Sequence, residues 1–213
     1  MMESLPARID LTAPVNYRVI RTILTLREPF TQLEVAQGAE AAPSQVSSLV
    51  RWLEAHQHVR RRKEDGRFET VQPASLVLAI YPYQRTMGRT LTGTLKVRGN
   101  PEEVSRILSN EGATLCLESA LAQYSQFFRA ERIAVYHRKP RKLLSELAPS
   151  EGGVLQVAVY EPDIPLKGDV EEPGPSVPLR RTTRYRTLVD LVCDNRSYAA
   201  RDLFQELWGV RLG

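Results

Sequence analysis

Apolar residues recur at Val15, Val19, Ile20, Ile23, Leu24 and Leu26. That is the three-to-four spacing of one helical face, and it predicts a first helix. Thr12 is placed to cap it, and Pro14 stands in the first turn, where a missing N–H is tolerated. Pro29 biases Glu28 out of helical geometry and predicts the stop. A second helix opens at Thr31, which has the capping-box spacing to Glu34, and is expected to end near Gly38. In a third, Val46, Leu49, Val50 and Leu53 make an apolar stripe, while Ser44, Gln45, Ser47, Ser48 and Arg51 occupy the other faces. Residues 57–73, QHVRRRKEDGRFETVQP, then read as a hairpin: strand HVRRRK, turn EDGR, strand FETVQP, with Asp65–Gly66 as the tight-turn pair.

Beyond the hairpin the pattern changes. Pro73 and the segment YPYQRTMGR mark a crossing, so the chain is read as two domains, residues 1–76 and 77–213. TLTGTLKVRG alternates and predicts a strand. NPEEVSRILSNEG reads as a helix capped by Asn100, with Pro101 first, two acids at its positive end and Gly112 closing it. ATLCLESALAQYSQFF is predicted as one longer helix, offering Leu115, Leu117, Ala120, Leu121, Tyr124 and Phe128 to a core. RIAVYH and VLQVAVYEP are short apolar strands, separated by a short helix in KPRKLLSELA. After the loop KGDVEEPGPSVP, two helices end the chain. One runs through Leu188, Leu191 and Val192; the other is capped near Asn195 or Ser197 and carries Leu203, Phe204, Leu207 and Trp208. The expected fold class is α+β: an N-terminal winged helix-turn-helix, then a mixed α/β domain that closes with a helical pair.

Composition changes this picture little, but charge distribution sharpens it. The net charge is +4, and 42% of the 213 residues are hydrophobic, ordinary for a globular chain long enough to bury a core. The longest apolar runs, such as LVLAIY at 76–81, are too short to span a bilayer. The N-terminus, MMESLPARID, lacks the basic-then-apolar pattern of a secretory leader, so a cytoplasmic location is expected. Cys116 and Cys193 read as reduced, buried thiols. Residues 129–142 hold six Lys/Arg against the single acid Glu131, and RRTTRYR at 180–186 adds four arginines. Between them, residues 151–172 hold six acids and one lysine.

Three short helices followed by a basic hairpin point to DNA contact. A recognition helix needs small polar residues on the face that enters the groove. Ser44, Gln45, Ser47, Ser48 and Arg51 are the candidates there, with Arg60, Arg61, Arg62, Lys63 and Arg67 on the hairpin for phosphates. The hairpin's acids temper this, because the first 73 residues hold ten Lys/Arg against nine Asp/Glu. Auxiliary nucleic-acid contacts are read at Arg138, Lys139, Arg141 and Lys142, and at Arg180, Arg181, Arg184 and Arg186, where Tyr185 adds a ring that can stack. For both clusters, a solvated face or pairing with the acidic segment 151–172 stays open. So does protein docking by the trihelical unit.

Residues 30–73 resemble winged-helix domains of prokaryotic regulators. ATLCLESALAQYSQF followed by RIAVYHR, with RYRTLVDLVCDNRSYAARDLFQELWG much later, resembles AbiEi-type antitoxins and their relatives. The matching pieces are Ser119-Ala120-Leu121 and Arg186 to Leu191. The resemblance implies a sequence-specific, duplex-DNA-binding transcriptional regulator of the antitoxin type. Its second domain would serve partner contact with a toxin or the transcription machinery, homodimerisation or further DNA contact.

Catalysis finds no home in these motifs, and neither cofactor nor metal is expected. A nucleotidyltransferase would need a Gly-Ser turn and two acids one residue apart on the next strand. Here NEGATLC and IAVYHR stand in those places, and Glu161, Asp163 and Asp169 lie in a segment interrupted by Pro162 and Pro165. A degenerate nucleotidyltransferase-like protein is kept as an alternative. His56, His58 and His137 have no cysteine companions at zinc spacing and read as structural.

Overall fold

The computed structural model describes residues 9–11, 13–81, 90–125, 128–147, 149–174 and 178–211. Three expectations fall outside them: the stretch 1–8 read for a leader, Thr12 as a cap, and residues 82–89 of the crossing. The chain divides into two compact units, Met1–Ile80 and Tyr81–Gly213.

In the first unit, α1 (Pro14–Thr25), α2 (Gln32–Ala39) and α3 (Pro43–Ala55) pack on one another and precede a two-stranded hairpin, β1 (Val59–Arg61) and β2 (Phe68–Thr70). Each helix starts for a local reason. α1 and α3 carry Pro at the first turn, and α2 is opened by the full Thr31–Glu34 capping box. That box, first through the Thr31 backbone N–H, holds the Glu34 carboxyl below its ordinary range. α2 ends at Ala39, one residue past Gly38, and Glu40 caps it with a left-handed φ of 49°. Gly38 also marks where α1 approaches closely, since a Cβ there would lie 2.8 Å from Thr22 Cγ2. Tyr17, Ile20, Ile23, Val35, Val46, Leu49, Val50 and Leu53 are buried, so the core joins the predicted stripes of α1 and α3 to Tyr17 and to Val35 of α2.

The hairpin is shorter than its alternation predicts. Arg62 N–H donates to Arg67 O (2.8 Å) and Gly66 N–H to Arg62 O (3.1 Å), closing a loop in which Gly66 takes φ +70°. Phe30, between α1 and α2, forms an antiparallel bridge with Phe68 through two backbone hydrogen bonds of 2.9 and 2.8 Å. The two phenyl rings stack at 6.3 Å. A further helix, α4 (Pro73–Ile80), follows, and the expected boundary at 76/77 falls inside it.

The second unit is built on a mixed six-stranded sheet in the order β3-β6-β5-β4-β8-β7. Its strands are β3 (Leu91–Val97), β4 (Thr114–Leu115), β5 (Ile133–Tyr136), β6 (Leu155–Tyr160), β7 (Val170–Glu171) and β8 (Arg180–Thr182). The helices are α5 (Pro101–Asn110), α6 (Leu117–Leu121), α7 (Pro140–Glu146), α8 (Arg184–Cys193) and α9 (Arg201–Trp208), with a 3-10 turn at Ser197–Ala200 before the last. α5 starts as expected, Asn100 Oδ1 accepting from Glu103 N–H at 2.7 Å. The predicted long helix from residue 113 is corrected. Thr114 and Leu115 pair with β5 on one side and β8 on the other, and Leu117 takes φ 48° before a single short helix.

Strand alternation separates two faces. Val135, Val157 and Val159 join Val104, Leu108, Leu143 and Leu147 in one core cluster with α5 and α7. Tyr136 on the opposite face meets Arg186 of α8. Cys116 and Cys193 are buried free thiols, and burial pushes the Cys116 thiol up. No described helix is long and apolar enough to cross a membrane.

Candidate nucleic-acid interface

On α3 the buried stripe Val46, Leu49, Val50 and Leu53 turns the opposite face outward. Ser44, Gln45, Ser48 and Arg51 are exposed there, and Ser47 is half-buried. Ser44, Ser48 and Arg51 follow the i, i+4, i+7 spacing of one helical face. That face carries no acid; Glu54 near the C-terminal end is half-buried. Trp52 stacks on His56 (4.0 Å) and lies 6.1 Å from His58, so both histidines belong to an aromatic cluster at the end of α3. Burial, then the nearby His56, lowers the His58 pKa.

The hairpin cations divide into three kinds. Arg67 is structural: its guanidinium donates to Pro29 O (2.9 and 3.1 Å) and to both Glu34 oxygens (2.9 Å), tying the hairpin to the start of α2. Arg60 pairs with Glu69 across the strands, and Arg62 with Glu64 (3.4 Å) and Asp65 (3.7 Å). Arg61 and Lys63 are exposed and have no carboxylate partner among the described residues, Arg61 lying 4.8 Å over the Phe68 ring. The run of four cations thus presents two uncompensated charges.

The auxiliary clusters of the second unit are largely committed within the fold. Arg186 cannot touch a nucleic acid, because it is 1% exposed. Its guanidinium donates to Asp190 (2.8 Å), the Tyr136 hydroxyl (3.1 Å), Asp163 (3.4 Å) and Ile164 O (3.4 Å). Tyr185 is buried as well and shares a 3.0 Å hydrogen bond with the Tyr81 hydroxyl, so it offers no ring for stacking. Arg181 pairs with Glu171 (2.9 Å), and Arg184 with Glu206 (2.7 Å) and Glu171 (3.8 Å). Both guanidiniums also lie over the Tyr124 ring, at 4.5 and 4.6 Å. Pairing with the acidic segment therefore accounts for Arg181, and Arg184 is neutralised mainly by Glu206. Arg180 donates to Gly112 O at 2.5 Å, and Lys142 pairs with Glu111 at 2.7 Å. That bond lowers the Glu111 pKa and raises that of Lys142. Arg138, Lys139 and Arg141 remain exposed without ion pairs among the described residues.

No family model, curated protein or solved structure matches this chain.

The residues that carried the AbiEi resemblance are packing and hydrogen-bonding residues. Ser119 Oγ donates to Arg132 O (2.9 Å) and accepts from Ala134 N–H (2.7 Å), fastening α6 to the start of β5. Asp163 faces Arg186 and accepts from Ile164 N–H, Asp169 is buried, and Glu161 is exposed. Among the described residues, no three His, Cys, Asp or Glu side chains gather as a metal site. Sequence reading missed the Phe30–Phe68 bridge and the Glu28 carboxylate that accepts from Thr70 N–H at 2.7 Å. Neither leaves a local signal, since both join segments about forty residues apart.

Proposed function

We propose that the first unit is a winged helix-turn-helix that binds duplex DNA sequence-specifically, in a transcriptional regulator of the AbiEi-antitoxin kind. The observation that carries this reading is the exposed, acid-free face of α3, where Ser44, Gln45, Ser48 and Arg51 stand opposite a fully buried stripe. The element order supports it too: helix, bridged residue, two helices, then a hairpin joined by Phe68 to the α1–α2 connection. α3 is read as the helix that enters the major groove, and the hairpin as the wing. Gln45 is suited to pair bidentately with an adenine edge, worth about 1–3 kcal/mol of discrimination. Arg61 and Lys63 would meet phosphates, which position the domain without reading sequence.

Selection of bound duplexes from a random library tests this directly. The intact chain is expected to enrich a sequence motif, and Gln45→Ala to change the preferred base at one position. Absence of any enriched motif, or an identical motif from Gln45→Ala, would overturn the docking of α3.

A further inference from the structure

We propose that a cleft in the second unit binds a small phosphomonoester of mononucleotide size. This inference stands independently of DNA binding by the first unit. The cleft has a volume of about 660 Å³, within the range of small-ligand sites. Its walls come from separate stretches of chain: the end of α5, the start of β4, the end of β5, the loop at residues 162–170 and the start of β8.

Its charge is what defines the ligand. Arg138, Lys167 and Arg180 line it from three different segments, and each comes from a different charge block of the sequence. Of its two lining carboxylates, Glu111 is already paired with Lys142 at 2.7 Å, and Glu172 is exposed. Arg180 is held in place by its 2.5 Å bond to Gly112 O. A guanidinium carries five N–H donors, so that bond leaves most of the fork for an anion. Thr114 also lines the cleft, and its hydroxyl is able to donate to an anion. The neighbouring wall is fixed: His137 Nδ1 accepts from Lys139 N–H (3.2 Å), so its Nε2–H donates to Glu111 O (2.9 Å).

The size of the cleft favours a small molecule over a duplex. A round cavity of that volume is about 11 Å across, the scale of one bound small ligand. The major groove of a duplex is by itself about 12 Å wide. The same phosphomonoester chemistry occurs on free nucleotides and on the 5′ end of a strand, and the experiment separates the two sources.

Isothermal titration of the intact chain with AMP, GMP, CMP, UMP and inorganic pyrophosphate is the test. A trinucleotide with and without a 5′-phosphate forms a second arm. At least one phosphorylated probe is expected to bind saturably. Arg138→Ala and Lys167→Ala, both at exposed residues, should each weaken it by roughly tenfold, while Lys96→Ala, outside the cleft, leaves it unchanged. Binding of the 5′-phosphorylated trinucleotide alone assigns the source to a strand end and supports the same chemistry. The proposal is overturned if no probe binds at millimolar concentration. It is equally overturned if binding survives Arg138→Ala and Lys167→Ala with unchanged melting temperatures, or if a duplex lacking terminal phosphates displaces the bound probe.

Discussion

Replacing Arg186 separates two readings of the arginine-rich stretch at 180–186. If Arg186 were a surface contact, Arg186→Met would shift stability by no more than about 0.5 kcal/mol. In the structure it is 1% exposed, with Asp190 at 2.8 Å and the Tyr136 hydroxyl at 3.1 Å. Removing one partner of such a buried pair leaves an uncompensated charge and costs about 3–5 kcal/mol. Removing both charges together avoids that penalty. Arg186→Met/Asp190→Leu should therefore be more stable than Arg186→Met alone, lying about 1–2 kcal/mol below the parent because the Tyr136 hydroxyl and Ile164 O lose a donor. Urea unfolding in a Trp52→Phe background is the assay. The chain has two tryptophans, and Trp208 then reports on the second unit alone. An Arg186→Met midpoint equal to the parent's, or a double variant less stable than the single one, would refute the buried-pair account.

Two further outcomes follow from the packing and the electrostatics. Gly38→Ala should lose about 1–2 kcal/mol, because the overpacking against Thr22 Cγ2 outweighs the gain of about 1 kcal/mol in helix propensity. In a Thr22→Ser background the same change should become neutral or stabilising, and equal effects in both backgrounds in thermal melts would exclude the contact. Burial raises the Asp190 carboxyl from 3.8 to about 6, despite the pull of Arg186. Its folded pKa thus exceeds its unfolded one, so the stability it contributes is complete below about pH 4 and is lost as pH rises through about 6. Asp190→Asn should remove that part of the pH dependence between pH 4 and 7 in denaturant titrations; superimposable profiles would exclude it.

What the sequence made legible was mainly what is decided locally. The Thr31–Glu34 capping box, the stripe of α3 and the Asn100 cap each depend on residues within one or two turns. The failures are non-local. Thr114 and Leu115 sit in an apolar run that periodicity cannot assign, and only pairing with Tyr136, Val135, Arg180 and Arg181 makes them a strand. α4 escaped because its PASLVLAI segment is apolar all round and shows no helical period. The candidate site divides in the same way. Exposure of Ser44, Gln45, Ser48 and Arg51 follows from the stripe behind them, whereas the partners that neutralise Arg67 and Arg184, Glu34 and Glu206, lie 33 and 22 residues away. Arg186 did carry a signal, because Asp190 stands four residues on along the same helix face.

DNA binding by the first unit is tested most directly by the salt dependence of duplex affinity. Arg51, Arg61 and Lys63 are exposed and have no carboxylate partner among the described residues. These three cations at the interface, Arg51 from α3 and Arg61 and Lys63 from the hairpin, predict a slope of about −3 in log affinity against log salt concentration. Arg61→Ala/Lys63→Ala should bring it to about −1 across all sequences while the folded state is retained. A slope near zero for the parent chain, or one that the double variant leaves untouched, would contradict the account.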